Sequence, residues 1–397
     1  MLTILRHADL YTPEHRGDSA VVVGGGQVLW IGPDGELPAV DAALVAGERD
    51  LGGARVIPGL VDGHVHTTGG GGEAGAETRV PAPSLTAFTR SGVTSVIGML
   101  GTDAETRSMA EVLASVRALR AEGLSSWCLT GGYHLPPATL TGSLRGDLVH
   151  LDAVVGVGEL ALSDFRSSQP TLDELLRVAS EVQVGAMLAG KAGVLHLHLG
   201  DGERGLELVR RALDESELPA RLFHPTHVNR RTGLFDEALH LAERGASIDV
   251  TAFPVLPDGE DSIDELSAVA AIRRYLDSGL DPARLTVSSD AGGCLPCFDD
   301  AGRMTHMDVG SAAGLLGTLA ELVAGGLDLE RVLPLFTSNP AEHFGLRGST
   351  HLKGRLCEGA DADLLVLDEH GRATDVMALG RWLVQDGDPA VRGTFEP

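Results

Sequence analysis

The sequence predicts an α/β protein in which a TIM-like (β/α)8 barrel carries a small β-sandwich domain formed by both ends of the chain. Short β-type runs separated by Gly and Pro turns fill both termini, and eight apolar runs alternate with amphipathic stretches between them. No Gly-x-Gly-x-x-Gly sequence sits after a strand in the strand-to-helix context that an open dinucleotide-binding sheet would require. We expect the small domain at residues 1–55 plus 350–397 and the barrel at residues 56–349.

The two termini share one texture of short apolar runs and turns. A Gly-Gly-Gly turn and a Pro-Asp-Gly turn separate the amino-terminal runs, and single glycines punctuate the carboxyl-terminal ones. The predicted strands are Leu2–Leu5, Ala20–Val23, Val28–Ile31, Ala362–Leu367, Asp375–Ala378 and Arg381–Gln385. Because both ends are rich in β-type runs, we expect them to close one small domain together.

The middle of the chain repeats a strand and then a helix. The predicted strands are Val56–Val65, Ser95–Met99, Trp127–Thr130, Val154–Leu162, Val194–Leu199, Leu222–Val228, Ser247–Ala252 and Leu285–Ser289. The predicted helices are Ala104–Ala121, Leu172–Leu188, Arg204–Asp214, Phe235–Ala242, Asp264–Tyr275 and Ala312–Val323. Eight such repeats favour a closed barrel over an open, doubly wound sheet.

Composition excludes several classes of protein. The 397 residues include 31 basic and 56 acidic side chains, a formal charge of −25, which argues against binding to nucleic acid phosphates. No apolar run approaches the roughly 18 residues of a membrane span, and we expect neither a membrane partner nor a secretory signal. Four cysteines are too few to staple this chain, and Cys294 and Cys297 lack the second pair of a zinc site, so we expect a cytoplasmic protein.

Metal-ligand side chains recur where the predicted strands end. In a barrel of this kind the carboxyl ends of the strands surround the active site. The candidates are Asp62, His64 and His66 on the first strand, Glu159 on the fourth, His196 and His198 on the fifth, His224 and His227 on the sixth, and Asp290 after the eighth. His64 and His66 face one side because strand residues alternate. Imidazole and carboxylate are typical ligands of zinc and similar divalent ions.

Two of these strands offer a choice of histidine. His198 and His227 lie nearer the carboxyl ends than His196 and His224, and we therefore prefer them as ligands. The two earlier histidines then have a supporting or structural role.

The same segments resemble the amidohydrolase superfamily and, within it, the isoaspartyl (β-aspartyl) dipeptidases, over essentially the whole chain. His-x-His marks the superfamily, whereas the Gly-Gly-Gly-Gly-Glu-Ala-Gly, Ser-Asp-x-Arg-Ser and Thr-His-Val-Asn-Arg segments mark the dipeptidases. The segments are Pro58–His66, Gly69–Gly75, Leu100–Asp103, Thr130–His134, Ser163–Ser167, His198–Asp201, Pro225–Arg230 and Ser288–Asp290.

The resemblance implies a site for two divalent metal ions, for which we expect Zn²⁺. It places His64, His66 and Asp290 around one ion, and His198 and His227 around the other. The bridging ligand in this family is commonly a carboxylated lysine on the fourth strand. Neither of the two lysines of this chain, Lys191 and Lys353, lies there, and we assign the bridge to Glu159.

The glutamate side chain is shorter than a carboxylated lysine. The fourth strand must therefore bulge or lie closer to the metals, and a shift of one residue would put Gly158 at that place. The alternative is that Glu159 is a partly buried acid with an ion-pair partner.

The resemblance also implies a mechanism. Two divalent ions lower the pKa of a shared water, so that hydroxide is available near neutral pH, and they polarise the scissile carbonyl. Asp290 takes the proton of the water and passes it to the leaving nitrogen. Tyr133 donates to the developing oxyanion.

Charge complementarity suggests the substrate. A β-aspartyl dipeptide carries one ammonium and two carboxylates, which one acid and two arginines would match. Glu73 is the expected ammonium partner, and Arg166 and Arg230 are the expected carboxylate partners. By resemblance, Gly71 and Thr102 add hydrogen bonds.

One expected substrate contact departs from the family pattern. Where the family often carries a serine after the last metal ligand, this chain has Cys294, whose thiol is a weaker donor.

We therefore expect a metal-dependent dipeptidase that releases aspartate and an amino acid from β-aspartyl dipeptides. The alternatives are a related hydrolase of cyclic amides or N-acyl amino acids, such as a dihydropyrimidinase, dihydroorotase or deacylase, and a non-catalytic scaffold of the same fold. A cyclic ureide has no ammonium and would leave Glu73 unpaired. A scaffold should have lost ligands. The resemblance also implies a homo-oligomer, an octamer in the best-known case.

Overall fold

The strands of the protein form a barrel and a terminal sheet, which confirms the predicted fold class. The computed structural model describes residues 1–253, 265–298, 304–348 and 351–397. The strands are β1 (Leu2–Tyr11), β2 (His15–Gly24), β3 (Gln27–Pro33), β4 (Val45–Asp50), β5 (Arg55–Pro58), β6 (Leu60–Val65), β7 (Val93–Gly98), β8 (Ser125–Thr130), β9 (Val154–Leu162), β10 (Val194–Leu199), β11 (Phe223–Thr226), β12 (Ile248–Thr251), β13 (Leu285–Ser288), β14 (Cys294–Phe298), β15 (Met304–Val309), β16 (Leu364–Leu367), β17 (Ala373–Ala378), β18 (Arg381–Gln385) and β19 (Asp388–Pro389).

The nine-stranded terminal sheet joins both ends of the chain. Its order is β19-β18-β17-β16-β5-β1-β2-β3, and β4 pairs with Leu2–Arg6 of β1, while β5 pairs with Asp9 and Leu10 further along the same strand. Alternate residues of β1, such as Ala8 and Leu10, pack with Val21, Val56 and Leu364 in a separate apolar core. The two ends of the chain therefore form one unit, as their shared composition predicts.

The barrel strands run parallel. Strands β6 to β11 form a continuous six-stranded sheet and β12 pairs with β13. A parallel bridge between Val65 and Ala291 links β6 to the residues after β13, and Thr226 on β11 donates to Asp249 on β12 at 2.7 Å. All eight predicted barrel strands are present, with ends that differ by a few residues.

The helices cover the outside of the barrel. They are α1 (Leu85–Thr89), α2 (Met109–Glu122), α3 (Leu144–His150), α4 (Leu172–Ala189), α5 (Glu207–Asp214), α6 (Thr232–Glu243), α7 (Ala268–Asp277), α8 (Ala313–Ala324), α9 (Leu329–Val332) and α10 (Ser338–His343). Helix α4 begins with a capping box between Thr171 and Glu174 and ends at Gly190 in the left-handed region. Among the described residues, no helix has the length and hydropathy that a membrane crossing requires.

The predicted strand Val56–Val65 is wrong as a single element. It divides at Gly59, so that β5 joins the terminal sheet through β1 and β16 while β6 opens the barrel. A Cβ atom at residue 59 would lie 2.1 Å from Thr94 Oγ1, and only glycine permits this close approach. The domain boundary at residue 55 stays a prediction.

Three predicted helices also begin late, and one of them, predicted at Arg204–Asp214, starts at Glu207. The stretch Ala104–Ala121 becomes helical only at Met109, because Ser108 caps the first turn by accepting from Glu111 N. Helix α7 begins at Ala268, and residue 264, where the prediction starts, lies outside the described residues.

Candidate active site

A pocket of about 320 Å³ opens at the carboxyl ends of the barrel strands. It brings together every site residue predicted from the sequence except His64, whose fully buried side chain lies directly beneath it. The lining residues are His66, Gly70, Gly71, Glu73, Gly101, Thr102, Tyr133, Glu159, Arg166, His198, His227, Arg230, Asp290 and Cys294. The roles assigned to these residues stay predictions, but their convergence is a property of the fold.

The first cluster at the base of the pocket joins β6 to the loop after β13. His64 Nε2 lies 3.5 Å from Glu159 Oε2 and 3.5 Å from Asp290 Oδ1. His66 Nε2 lies 3.4 Å from Glu159 Oε1 and 3.1 Å from Asp290 Oδ1. The alternation of β6 thus turns both imidazoles toward the same two carboxylates.

The second cluster shares Glu159 with the first. His198 Nδ1 lies 3.2 Å from Glu159 Oε2, and His227 Nε2 lies 3.8 Å from the same oxygen. Ligand atoms of Glu159, His198 and His227 all lie within 4.8 Å of one another, as do those of His64, His66 and Glu159. Glu159 therefore stands where one carboxylate could hold two ions.

A bulge in β9 brings the short glutamate side chain to this position. Val157 pairs with Leu195 and Leu160 pairs with Leu197, so two residues of β9 oppose the single residue His196. Gly158 has φ 153°, and a Cβ atom there would lie 2.6 Å from the His196 carbonyl oxygen. Of the two arrangements expected from the sequence, a bulge or a closer approach of the strand to the metals, the structure has the bulge, and it needs glycine before Glu159.

Both lysines of the chain are engaged elsewhere. The Lys191 ammonium donates to three backbone carbonyls, including that of Val154 at the first residue of β9, at 2.6 to 2.8 Å. Lys353 is buried and pairs with Asp361 at 3.0 Å and Asp363 at 2.7 Å. Neither amine lies at the pocket, where the family's carboxylated lysine would stand.

Two ligand candidates are held from behind by polar side chains. His198 Nε2 lies 2.9 Å from Asp164 Oδ2, and His227 Nδ1 lies 2.7 Å from Thr251 Oγ1. Each contact leaves the other ring nitrogen facing Glu159. Our sequence interpretation gave Asp164 no role, although its place in the turn after the fourth strand was a signal.

Burial sets the protonation of the clusters. It raises the pKa of the Glu159 carboxyl well above its usual range, and the Asp290 charge raises it further. It lowers the pKa of His198 to about 3 and the pKa values of His64 and His227 well below the usual value. These imidazoles are therefore neutral and carry lone pairs.

These groups fit divalent cations. Among the described residues, the ion-pair partners of the buried acids Glu159 and Asp290 are imidazoles, which are neutral, rather than lysine or arginine. His66 Nδ1 and Asp290 Oδ1 are buried and make no hydrogen bond within the described structure. Bound cations would neutralise the acids and use the lone pairs, in line with the ligand preferences of divalent metals.

Tyr133 approaches the second cluster from the loop after β8. Its hydroxyl lies 2.8 Å from His198 Nδ1, and its ring lies 5.6 Å from the Arg166 guanidinium. Burial raises the pKa of the Tyr133 phenol well above its ordinary value. The hydroxyl therefore keeps its proton near neutral pH and remains a donor.

The mouth of the pocket carries one acid and two arginines. Glu73 Oε1 accepts from Thr102 Oγ1 at 2.8 Å and lies 3.4 Å from Arg166, which also pairs with Asp164 at 2.7 Å. Arg230 lies 3.7 Å from Asp201, and its buried Nε makes no hydrogen bond within the described structure. The side chains of Glu73, Arg166 and Arg230 are 18%, 13% and 20% exposed. Their charges are thus within reach of a bound ligand.

Arg107 holds the loop that carries Glu73 and was missed by the sequence interpretation. Its buried guanidinium donates to the carbonyls of Gly70 at 2.8 Å, Gly71 at 3.4 Å and Val80 at 3.0 Å. Five donors in one rigid fork suit this task. The signal was weak because an arginine in a polar stretch before a helix is usually exposed.

Cys294 lines the pocket beside Gly71, in the loop that carries Glu73. Burial raises the pKa of its thiol to about 11, with the Glu73 charge as a further cause. It is therefore a neutral thiol. Cys297, which shares the C-x-x-C spacing, has a side chain outside the described set.

Solved structures of a β-aspartyl dipeptidase and of a dihydropyrimidinase are similar in fold to this chain. The β-aspartyl dipeptidase of the thermophilic, keratin-degrading Fervidobacterium islandicum AW-1, crystallised with a β-Asp-Leu dipeptide, is 39% identical, covers 100% of both chains and superposes with a TM-score of 0.90. The dihydropyrimidinase of Brevibacillus agri NCHU1002 is 17% identical, covers 99% of this chain and 97% of its own, and superposes with a TM-score of 0.71. The second likeness shows the fold alone.

Curated relatives match a shorter part of the chain. The imidazolonepropionase of Ruegeria pomeroyi is 38% identical over 129 residues, which is 32% of this chain and 32% of that protein. This alignment thus spans about a third of the relative's length. The family model described as "Amidohydrolase family" matches residues 55–385, which include the whole pocket. The protein is therefore a hydrolase that belongs to the amidohydrolase family.

Proposed function

We propose that the protein hydrolyses β-aspartyl (isoaspartyl) dipeptides to aspartate and an amino acid, with two divalent metal ions, Zn²⁺ in our proposal, as cofactors. The observation that carries the proposal is the convergence of Glu73, Arg166 and Arg230 at the mouth of a pocket whose base is a pair of candidate metal clusters. The similarity to the Fervidobacterium dipeptidase supports it.

The charges of the pocket match those of the substrate. The ammonium of a β-aspartyl dipeptide pairs with the Glu73 carboxylate, which Thr102 and the loop at Gly71 hold in place. The two substrate carboxylates pair with Arg166 and Arg230, whose planar guanidinium groups bind carboxylates through two parallel hydrogen bonds. These contacts orient the side-chain amide, rather than an α-peptide, toward the clusters.

The residues at the base of the pocket would hold the ions and move protons. His64, His66 and Asp290 would ligate one ion, His198 and His227 the other, and Glu159 both. Divalent ions in such a site activate water as a nucleophile and polarise the scissile carbonyl when they are bound.

Asp290 accepts the proton of the attacking water and delivers it to the leaving nitrogen, which would otherwise depart as a strongly basic anion. The Tyr133 hydroxyl donates a hydrogen bond to the carbonyl oxygen as negative charge develops there. The raised pKa of Tyr133 keeps that proton in place throughout.

A hydrolase of cyclic amides or N-acyl amino acids is the second candidate. One observation favours it: Glu73 and Arg166 lie 3.4 Å apart and already neutralise each other, so a substrate without an ammonium leaves that pair intact. The retention of every candidate metal ligand opposes a non-catalytic scaffold.

The deciding experiment compares β-Asp-Leu with α-Asp-Leu, using purified protein with zinc supplied and products resolved by mass spectrometry. We expect cleavage of the β-linked peptide and none of the α-linked one. Cleavage of neither, with metal confirmed in the protein, would reject the proposed substrate. N-acetyl-leucine and dihydrouracil as parallel substrates would then test the second candidate.

We also propose that the protein is a cytoplasmic homo-oligomer. The oligomer is inherited from the family resemblance, and light scattering of the purified protein tests it. A monomer at micromolar concentration would reject it.

A further inference from the structure

A chain of buried side chains crosses the barrel interior beneath the metal clusters. His64 Nδ1 lies 2.8 Å from His196 Nε2, and His196 Nδ1 lies 2.9 Å from His224 Nδ1. His224 Nε2 lies 3.0 Å from Thr286 Oγ1, which in turn lies 2.6 Å from Asp249 Oδ1. This hydrogen-bonded chain of side chains thus connects five strands, in the order β6, β10, β11, β13 and β12, and each step is within hydrogen-bond distance.

Asp249, at one end of this hydrogen-bonded chain, sets the donor–acceptor direction of every hydrogen bond in it. Asp249 accepts from three hydroxyls, those of Thr226 at 2.7 Å, Thr286 at 2.6 Å and Ser288, and a carboxylate can only accept. Burial raises the pKa of the Asp249 carboxyl to about 6, and these hydroxyls limit the rise, so the group is ionised at neutral pH. Thr286 therefore spends its single proton on Asp249 and must accept from His224.

The remaining steps follow because each ring is neutral. His196 and His224 are fully buried and make no hydrogen bond to a carboxylate among the described residues, and a charged imidazolium there would be costly. A neutral ring has one N–H and one lone pair. His224 donates from Nε2 and accepts at Nδ1, so His196 donates from Nδ1 and accepts at Nε2. His64 must then donate from Nδ1.

We propose that Asp249 fixes the ring tautomer of His64 through this hydrogen-bonded chain, and so keeps the His64 Nε2 lone pair facing the metal site. Asp249 and Thr286 are positioning residues that touch neither substrate nor metal. The proposal rests on the metal-dependent part of the proposed function and is independent of the substrate. It also gives His196 and His224 a defined role.

The substitution Asp249→Asn should reverse the donor–acceptor direction of each hydrogen bond between residue 249 and His64. The side-chain amide that replaces the carboxylate can donate to Thr286, whose hydroxyl then donates to His224. His224 and His196 then adopt the opposite tautomer, and His64 carries its proton on Nε2. The wrong tautomer cannot ligate an ion through that atom. We expect Asp249→Asn to weaken binding of one metal ion about 100-fold, the upper end for residues that orient metal ligands.

A matched pair of variants distinguishes the effect of breaking the hydrogen-bonded chain from the effect of removing a buried hydroxyl. Thr286→Val and Thr226→Val each remove one buried hydroxyl that donates to Asp249, but only Thr286 contacts His224. We expect Thr286→Val to weaken one metal ion about 10-fold. We expect Thr226→Val to leave both affinities unchanged, and Thr286→Ser to restore them.

The measurement is zinc transfer from the metal-loaded protein to a chromogenic chelator, with no substrate present. A failed dipeptidase assay would thus leave this result standing, and the reverse also holds. Equal metal affinities for Thr286→Val and Thr226→Val would overturn the proposal.

A second measurement reads the His64 tautomer in the wild-type protein and uses a variant only to assign the signals. Ring ¹⁵N spectra of histidine-labelled, metal-free wild-type protein, with the His64 signals assigned by their loss in His64→Asn, report which nitrogen carries the proton. We expect Nδ1 protonated and Nε2 bare. A His64 ring protonated at Nε2 would overturn the proposal.

Discussion

The proposed metal ligands and the proposed substrate-binding side chains converge on one pocket, but different parts of the fold hold them. The metal-facing histidines lie on or directly after barrel strands, are buried, and in the cases of His198 and His227 are hydrogen-bonded from behind. Of the proposed substrate-binding charges, Glu73 and Arg166 lie on loops and Arg230 ends a single 3-10 turn after β11, and all three pair with protein charges. The base of the pocket is thus set before any ligand binds, whereas the mouth must exchange ion pairs.

The base of the pocket holds strained backbone, whereas the mouth holds an ion pair. Two metal-facing residues, His227 and Asp290, have φ values of 58° and 54°, a region that costs non-glycine residues energy and is found at functional sites. Strain of this kind is stable on a rigid strand end. Glu73 and Arg166 instead pair with each other, and in our proposal they exchange this pairing for the ammonium and a carboxylate of the substrate.

The largest expected effect comes from the rigid base. Asp290→Asn removes the proton acceptor and should lower kcat about 10³-fold, within the range of general acid–base catalysis. Steady-state kinetics on β-Asp-Leu together with metal content measures this loss. Asp201→Asn, on an exposed side chain at the mouth, is the control and should change kcat little. Activity of Asp290→Asn within tenfold of wild type, with normal metal content, would exclude the proposed role.

Tyr133→Phe should lower kcat by about 10²- to 10³-fold with a small change in KM, because only the transition state gains the hydrogen bond. The matched control is Tyr275→Phe, which removes another buried hydroxyl that donates to the Asp281 carbonyl at 2.9 Å, away from the pocket. It should reduce thermal stability but not kcat. Equal kcat losses in the two variants would remove Tyr133 from the mechanism.

At the mouth, Arg166→Met should lower kcat/KM about 100-fold, which corresponds to about 2.7 kcal/mol for a charge-assisted hydrogen bond. Arg166→Lys should recover part of this loss, since lysine keeps the charge but not the planar fork. Arg211→Met, which breaks an exposed pair with Glu215 outside the pocket, should have no effect on activity. A full recovery by lysine would reject the bidentate contact.

The smallest expected effect is that of bicarbonate, for which we expect no change in activity. Metal-depleted protein should regain activity with zinc alone, and added bicarbonate should change nothing, because Glu159 needs no carboxylation. Glu159→Lys supplies the control, as its activity should depend on bicarbonate. A bicarbonate requirement in the wild type would contradict the Glu159 bridge.

The sequence predicts the parts of this site that are local. Strand ends are visible as apolar runs, and ligands such as His64, His66 and Asp290 stand at those ends, so their convergence follows from the barrel alone. A bulge near Glu159 was one of two arrangements expected because a glutamate side chain is short. The division of the first run at Gly59 was not, because it depends on the approach of Thr94 from another strand.

The supporting contacts could not be read from the sequence. Thr286 and His224 are 62 residues apart, and Asp164 contacts His198 across 34 residues. Each is an ordinary polar residue in its own segment, and only the register of neighbouring strands joins them. Arg107 was missed for the same reason, since its partners are backbone carbonyls of a distant loop.

The most direct test of the charge match compares wild type and Glu73→Gln on two substrates, β-Asp-Leu and N-succinyl-leucine, which keeps both carboxylates but lacks the ammonium. We predict that Glu73→Gln lowers kcat/KM about 30-fold for β-Asp-Leu, as expected for loss of one ionic hydrogen bond, and leaves N-succinyl-leucine nearly unchanged. An equal loss on both substrates would contradict the pairing of Glu73 with the substrate ammonium.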